Sequence, residues 1–150
     1  MKKYDSLKLE NQLCFPLYAA GKEIVRKYHP VLEKLNITYT QYITLLVLWE
    51  QDGLSVKELG KKLYLDSGTL TPLLKALETK GFVKRVRNSR DERLVEVFLT
   101  DDGRALREEA LSVPLQVGQC VALSKDEAMQ LYSLLYKLLG NLTNEGDNNE

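Results

Sequence analysis

Residues Leu63 to Arg93, LYLDSGTLTPLLKALETKGFVKRVRNSRDER, restrict the fold more than any other stretch of the chain. A tight connection, Tyr64-Leu65-Asp66-Ser67, leads into a helix predicted from about Ser67 to Lys80. Leu70, Leu73, Leu74 and Leu77 form its inner face, and Gly81 sits where a left-handed residue stops a helix. Pro72 falls early in that helix but past its first position, so a displaced or slightly distorted start is expected. Just upstream, Ser55-Val56-Lys57-Glu58 is a capping box that opens a short helix, Val56 to Leu63. A short helix, a tight turn and a second helix make helix-turn-helix spacing.

After the glycine come two β-prone runs, Phe82 to Arg87 and Leu94 to Leu99, joined by the polar loop Asn88 to Arg93. A helix-turn-helix followed by a basic hairpin is the winged variant of the motif. The expected fold is therefore mainly α with a small β-wing, built on about six helices. The exposed residues at the start of the second helix, Ser67, Gly68, Thr69, Thr71 and Lys75, are small or basic enough to approach base edges and phosphates. Arg85, Arg87, Arg90 and Arg93 give the hairpin arginines of the kind that enter a narrow minor groove. Routine capping accounts for Asp66 or Ser67 but not for the arginine-rich hairpin that follows, which favours double-stranded DNA as a partner. Asp91 and Arg93 fit either an ion pair that stiffens the wing or a direct DNA contact by the arginine.

Charge supports the same reading by its distribution. The chain of 150 residues has a formal net charge of zero. Between Ser55 and Leu94, however, ten basic residues face five acidic ones, so this segment carries +5 and the remainder −5. A basic middle between acidic flanks suits a local phosphate-binding face.

The flanking segments are predicted as helices. Leu9, Leu13, Leu17, Ile24 and Tyr28 fall near helical spacing, giving a helix from Leu7 to about Tyr28 with a kink expected at Pro16 and a break at His29-Pro30. Thr38 and Gln41 form a capping box for an apolar helix, Tyr39 to about Gln51, that belongs in a core. Thr100 to about Val113 is a further helix, interrupted at Pro114, and Gln116 to Leu123 reads as less regular. Ser124 and Glu127 cap the last helix, which carries a broad leucine stripe, and a polar tail closes the sequence. With 44% hydrophobic and 28% charged residues, no apolar run long enough to span a bilayer and no secretory h-region, an intracellular, cytoplasmic protein is expected.

There are two cysteines, Cys14 and Cys120, and one histidine, His29, which together offer no metal-site spacing. From the residues alone Cys14 is either a small buried hydrophobe or a reactive thiolate, and Tyr18, Tyr28, Tyr39 and Tyr42 are candidate phenol donors to it.

The stretches LENQLCFPLYAAGKEI (9–24), LNITYTQYITLLVLWE (35–50), LYLDSGTLTPLLKALETKG (63–81) and RDERLVEVFLTDDG (90–103) together resemble the MarR family of winged-helix regulators, in its organic-hydroperoxide-sensing, OhrR-type branch. The resemblance covers nearly the whole chain. It implies one domain over 1–150, with 1–35 and 101–142 as dimerisation helices, 36–100 as the winged helix-turn-helix and 143–150 as the tail. It further implies a homodimeric repressor on a pseudo-palindromic operator, without a cofactor and without catalytic turnover. Cys14 matches the peroxide-reactive thiolate, and Tyr28 and Tyr39 match the phenols that hydrogen-bond it across the dimer. Cys120 lies in the region of a resolving cysteine, so the two-cysteine mechanism, an inter-subunit Cys14–Cys120 disulfide with operator release, is the expectation; an incidental thiol is the alternative. Pro16 departs from the pattern close to the reactive cysteine. The competing functions are a broader oxidant-responsive global regulator, a regulator binding a phenolic ligand without redox chemistry, and a cysteine peroxidase, for which no arginine or histidine is evidently placed beside Cys14.

Overall fold

The computed structural model describes residues 2–144, so the end of the expected polar tail, 145–150, lies outside the described residues. Seven α-helices and three short strands follow one another in this part: α1 (Cys14–Glu33), α2 (Tyr39–Glu50), β1 (Leu54–Ser55), α3 (Val56–Leu63), α4 (Ser67–Thr79), β2 (Val83–Arg87), β3 (Val95–Leu99), α5 (Asp101–Ala110), α6 (Val113–Val121) and α7 (Lys125–Asn144). Two compact units result, one up to Val117 and one from Gly118 onward.

Local chemistry accounts for the boundaries. Thr38 accepts a hydrogen bond from Gln41 N, and the Gln41 side chain accepts one from Thr38 N, closing the first capping box. Ser55 and Glu58 do the same for α3, and Ser124 and Glu127 for α7. Asp66 caps α4 by accepting from Thr69 N at 2.7 Å, so α4 starts at Ser67 despite Pro72. At its other end Phe82 N donates to Leu77 O, and Gly81 N to Glu78 O, with Gly81 at φ +83°. That pair of hydrogen bonds is the Schellman stop. It leaves only three residues between recognition-type helix and wing.

Backbone hydrogen bonds to Ser55, Thr69, Arg85 and Ser124 hold the Glu58, Asp66, Glu78 and Glu127 carboxyls below their ordinary values. Groups lowered in the folded state contribute stability that is complete above the ordinary carboxylate range and is lost as pH falls through the lowered values. Thermal melts followed by circular dichroism should therefore be flat on the acid side of neutrality and decline below about pH 4. A midpoint unchanged down to pH 2 would count against the capping contribution.

Three regions differ from the sequence expectation. The first helix begins at Cys14, not Leu7, because residues 5–11 form two 3-10 turns. There, Asn11 Nδ2 donates to Asp5 O, and Gln12 Nε2 to Ser6 O and Lys8 O, so side chains take carbonyls that a helix would need. Pro16 is then the third residue of α1, inside the first turn where backbone N–H groups have no helical partner, and it forces no kink. Pro30 does not break the chain either: α1 runs through it to Glu33, losing one backbone bond. Finally, residues 113–121 are helical, not irregular. Pro114 occupies the second position of α6, where a missing donor is tolerated, and so helps to start that helix. Cys120 consequently sits on the last turn of a helix and not in a polar loop.

The core of the first unit is assembled from Leu45 and Leu48 of α2, Leu59 of α3, Leu70, Leu74 and Leu77 of α4, Val83 and Val97 of the hairpin, and Leu106 and Val113 beyond it. Each such side chain contributes on the order of 2 kcal/mol by leaving water. β1 pairs with β3 (Leu54 opposite Val97), and β2 pairs with β3 (Val83 opposite Leu99, Arg87 opposite Val95), giving an antiparallel sheet in the order β1-β3-β2. The two-residue β1 was not legible in advance, being too short for alternation. Trp49 Nε1 donates to Gly103 O at 2.8 Å, fastening α2 to α5.

Candidate nucleic-acid interface and thiol site

Folding brings the exposed start of α4, the outer side of α3 and the root of the hairpin around one cleft of about 750 Å³. Lys57, Lys61, Arg85, Arg87 and Arg93 line it together with Ser67 and Thr71, and no carboxylate does. A concave wall of five cations is the electrostatic footprint of a polyanion. Of the expected DNA-facing residues, Ser67, Gly68, Thr69, Thr71 and Lys75 are all exposed. Thr71 returns its hydroxyl proton to Ser67 O at 2.8 Å, so its oxygen keeps lone pairs to accept with.

The hairpin arginines have different situations. Arg85 borders the cleft, but Glu78 holds it: Arg85 N donates to Glu78 Oε2 at 2.8 Å, and its guanidinium reaches Glu78 Oε1 at 3.1 Å. Arg87 Nη1 donates to Glu92 O at 2.9 Å across the hairpin while remaining exposed. Arg93 Nε pairs with Asp91 Oδ1 at 3.2 Å, so the ion-pair reading of these two is realised, yet the arginine side chain is 91% exposed. Asn88 Oδ1 accepts from Arg90 N and Asp91 N, shaping the tip and leaving Arg90 exposed at its end. Lys57 and Lys61 were not singled out from the sequence as site residues; their i,i+4 spacing on the first helix of the motif was the available signal. Glu78 was missed because its partner is seven residues away across a helix stop.

Cys14 and Cys120 are both exposed thiols. Cys14 opens α1, whose first turn has no side-chain cap. Tyr28, on the same helix, and Tyr39, at the start of α2, pack with their rings tilted at 54° and centroids 4.8 Å apart, and the Tyr42 ring centroid lies 5.7 Å from that of Tyr28. Burial pushes all three phenols up, and neighbouring phenols add to this for Tyr28 and Tyr42. They remain protonated hydrogen-bond donors. Cys14 and Tyr28 are fourteen residues apart along α1, about 21 Å at the helical rise. Within one chain the thiol and Tyr28 are therefore far apart.

Much apolar surface is left uncovered. Of α1's twenty residues only Leu32 is buried, while Phe15, Leu17, Tyr18, Ile24 and Val25, and Leu13 just before the helix, are exposed. In the second unit Met129, Leu131, Leu134, Leu138 and Leu142 of α7 are exposed as well. Among the described residues no helix is long and apolar enough to cross a membrane, and no cluster of three His, Cys, Asp or Glu side chains is placed to hold a metal.

Comparison with known proteins agrees with this geometry. The family model for the transcriptional regulator SarA/Rot matches residues 26–110. The chain is 52% identical over 143 residues to the organic hydroperoxide resistance transcriptional regulator of Bacillus subtilis, covering 93% of this chain and 95% of that one. Among solved structures, AbfR of Staphylococcus epidermidis is similar. Reduced AbfR bound to DNA matches with a TM-score of 0.78 at 36% identity, over 95% of this chain and 99% of that one. AbfR with its disulfide formed matches with a TM-score of 0.66 at 35% identity, over 94% and 96%.

Proposed function

From the premise that the chain belongs to the SarA/Rot-type, MarR-like winged-helix transcriptional regulators, we propose that this DNA-binding regulator is a homodimeric repressor switched by organic hydroperoxides at Cys14. Its relatives are transcriptional regulators, and it is a regulator and not an enzyme. The observation that carries the redox reading is the separation of thiol and phenols. Protonated Tyr28 and Tyr39 form a donor pair whose Tyr28 lies about 21 Å along α1 from the Cys14 of the same chain. A second copy, lying across the exposed apolar stripe of α1, can supply the cysteine that this pair lacks. An uncovered stripe of that length is more than a monomer usually exposes.

The chemistry is a two-step exchange. The Cys14 thiolate attacks the hydroperoxide oxygen, the O–O bond breaks, and the alkoxide takes up a proton and leaves as an alcohol. The sulfur is left as a sulfenic acid, the reversible rung of oxidation. The thiol of Cys120 of the partner subunit then attacks that sulfur, an S–S bond forms and the hydroxyl departs as water. The bond requires α-carbons within about 7 Å, and where the two cysteines start further apart helices must move to make it. That movement would respace the two α4 helices and weaken their simultaneous grip. In the relative AbfR, a reduced DNA-bound form and a disulfide form both exist, which supports a switch of this kind here.

A DNA shift assay with a non-reducing gel, run before and after cumene hydroperoxide, tests the reading. The parent should release DNA and yield a band at dimer mass. Cys14→Ser should stay bound under peroxide; normal release would sink the sensor assignment. Cys120→Ser should lose the band, and a persisting band would refute its resolving role.

A further inference from the structure

The proposed sensor and the DNA-reading helix must communicate, and one side chain spans the gap between them. Lys80 caps the carboxyl end of α4, where a cation is favoured by the helix dipole. Its Nζ donates at 2.8 Å to Asn36 O in the α1–α2 connection and at 2.8 Å to Gln41 Oε1 in the first turn of α2. The same Gln41 oxygen accepts from Thr38 N and so completes the capping box that starts α2. Gln41 is 5% exposed, so its carbonyl is fixed by these donors and not by water. Tyr39 lies between Thr38 and Gln41, with its ring on Tyr28.

We propose that Lys80 is a positioning residue that transmits the state of the Tyr28–Tyr39 pair to the recognition helix, through the Gln41 carbonyl and the α2 capping box. This rests on the redox reading above and adds a route within each protomer to the change in helix spacing between protomers. A turn of Tyr39 moves the Thr38–Gln41 box. The Gln41 oxygen that holds Lys80 moves with it and, through that bond, draws the end of α4 along. Apolar packing between α2 and α4 tolerates sliding, whereas hydrogen bonds to a cation fix register.

Operator binding by full-length Lys80→Met, reduced and after cumene hydroperoxide, is the test, read by fluorescence anisotropy. The parent should lose tenfold or more in affinity on oxidation, a coupling of about the usual allosteric size. Lys80→Met should bind within about threefold of the parent when reduced and lose no more than about threefold when oxidised, most of the coupling being gone. Sulfenic acid labelling at Cys14 and the dimer-mass band should form in it as in the parent. Lys80→Arg, which keeps a donor, should restore release, and a merely structural lysine would not give that pattern. Release by Lys80→Met equal to the parent's overturns this proposal alone, as does loss of DNA binding by reduced, folded Lys80→Met. A Lys80→Met chain that does not fold, as judged by its thermal melt, also overturns it. A parent that keeps its DNA when oxidised overturns both readings.

Discussion

A Gly103→Ala chain is expected to melt roughly 10 °C below the parent, a cost of about 3 kcal/mol for a chain of this size. Gly103 is the third residue of α5, and its N–H donates to the Thr100 hydroxyl at 3.0 Å. A β-carbon there would lie 2.0 Å from Phe82 O and 3.3 Å from Leu99 Cδ2. The first contact is with backbone, so no side chain can turn aside to relieve it. Phe82 O already accepts from Thr100 N at 3.0 Å, and Gly103 O accepts the Trp49 indole. Moving α5 outward would therefore strain the helix cap, the tie to the strand and the link to α2 together. Differential scanning calorimetry of Gly103→Ala checks this, and a midpoint within 2 °C of the parent would mean that α5 docks more loosely than the geometry requires. Gly118→Ala is the control, since a β-carbon there meets nothing within 4 Å.

The second large effect concerns DNA. The double substitution Arg87→Ala with Arg93→Ala should weaken operator binding on the order of a hundredfold and reduce the slope of log affinity against log salt by about 2. Both guanidinium groups line the cleft and both are exposed. Arg85→Ala should behave differently. Its guanidinium is occupied by Glu78, so the loss should appear mainly as a lower melting temperature, with a smaller change in salt slope. Affinity titrations at several salt concentrations separate the two outcomes. Equal salt slopes for Arg85→Ala and for either single exposed-arginine variant would remove the distinction drawn between these side chains.

Much of the architecture was legible because its punctuation is local. Ser55 and Glu58, Thr38 and Gln41, and Ser124 and Glu127 each announce a helix start within four residues, and each box is formed. Gly81 marks the stop of α4 for the same reason: only that residue type takes a left-handed backbone at no cost. What was misread depends on competition or distance. The apolar spacing from Leu7 to Leu13 suits a helix, but Asn11 and Gln12 offer the backbone a rival set of partners. Pro114 reads as an interruption until α6 is seen to begin one residue before it. The arginines of the hairpin were visible as a group, whereas the separation of Arg85 from the exposed Arg87 and Arg93 depends on Glu78 finding it in space. Lys80 resembles any helix-terminal lysine in the sequence, because its acceptors lie 44 and 39 residues away.

The joint between α4 and the wing has a further consequence. It consists of two backbone bonds at Gly81 and Phe82 and the clasp of Glu78 on Arg85, none of which involves Ser67, Gly68, Thr69 or Thr71. Letters and frame are thus separately inherited. Substitutions on the exposed face of α4 therefore leave in place the bonds that aim the hairpin, so the surface offered to a partner can change while the frame that presents it does not.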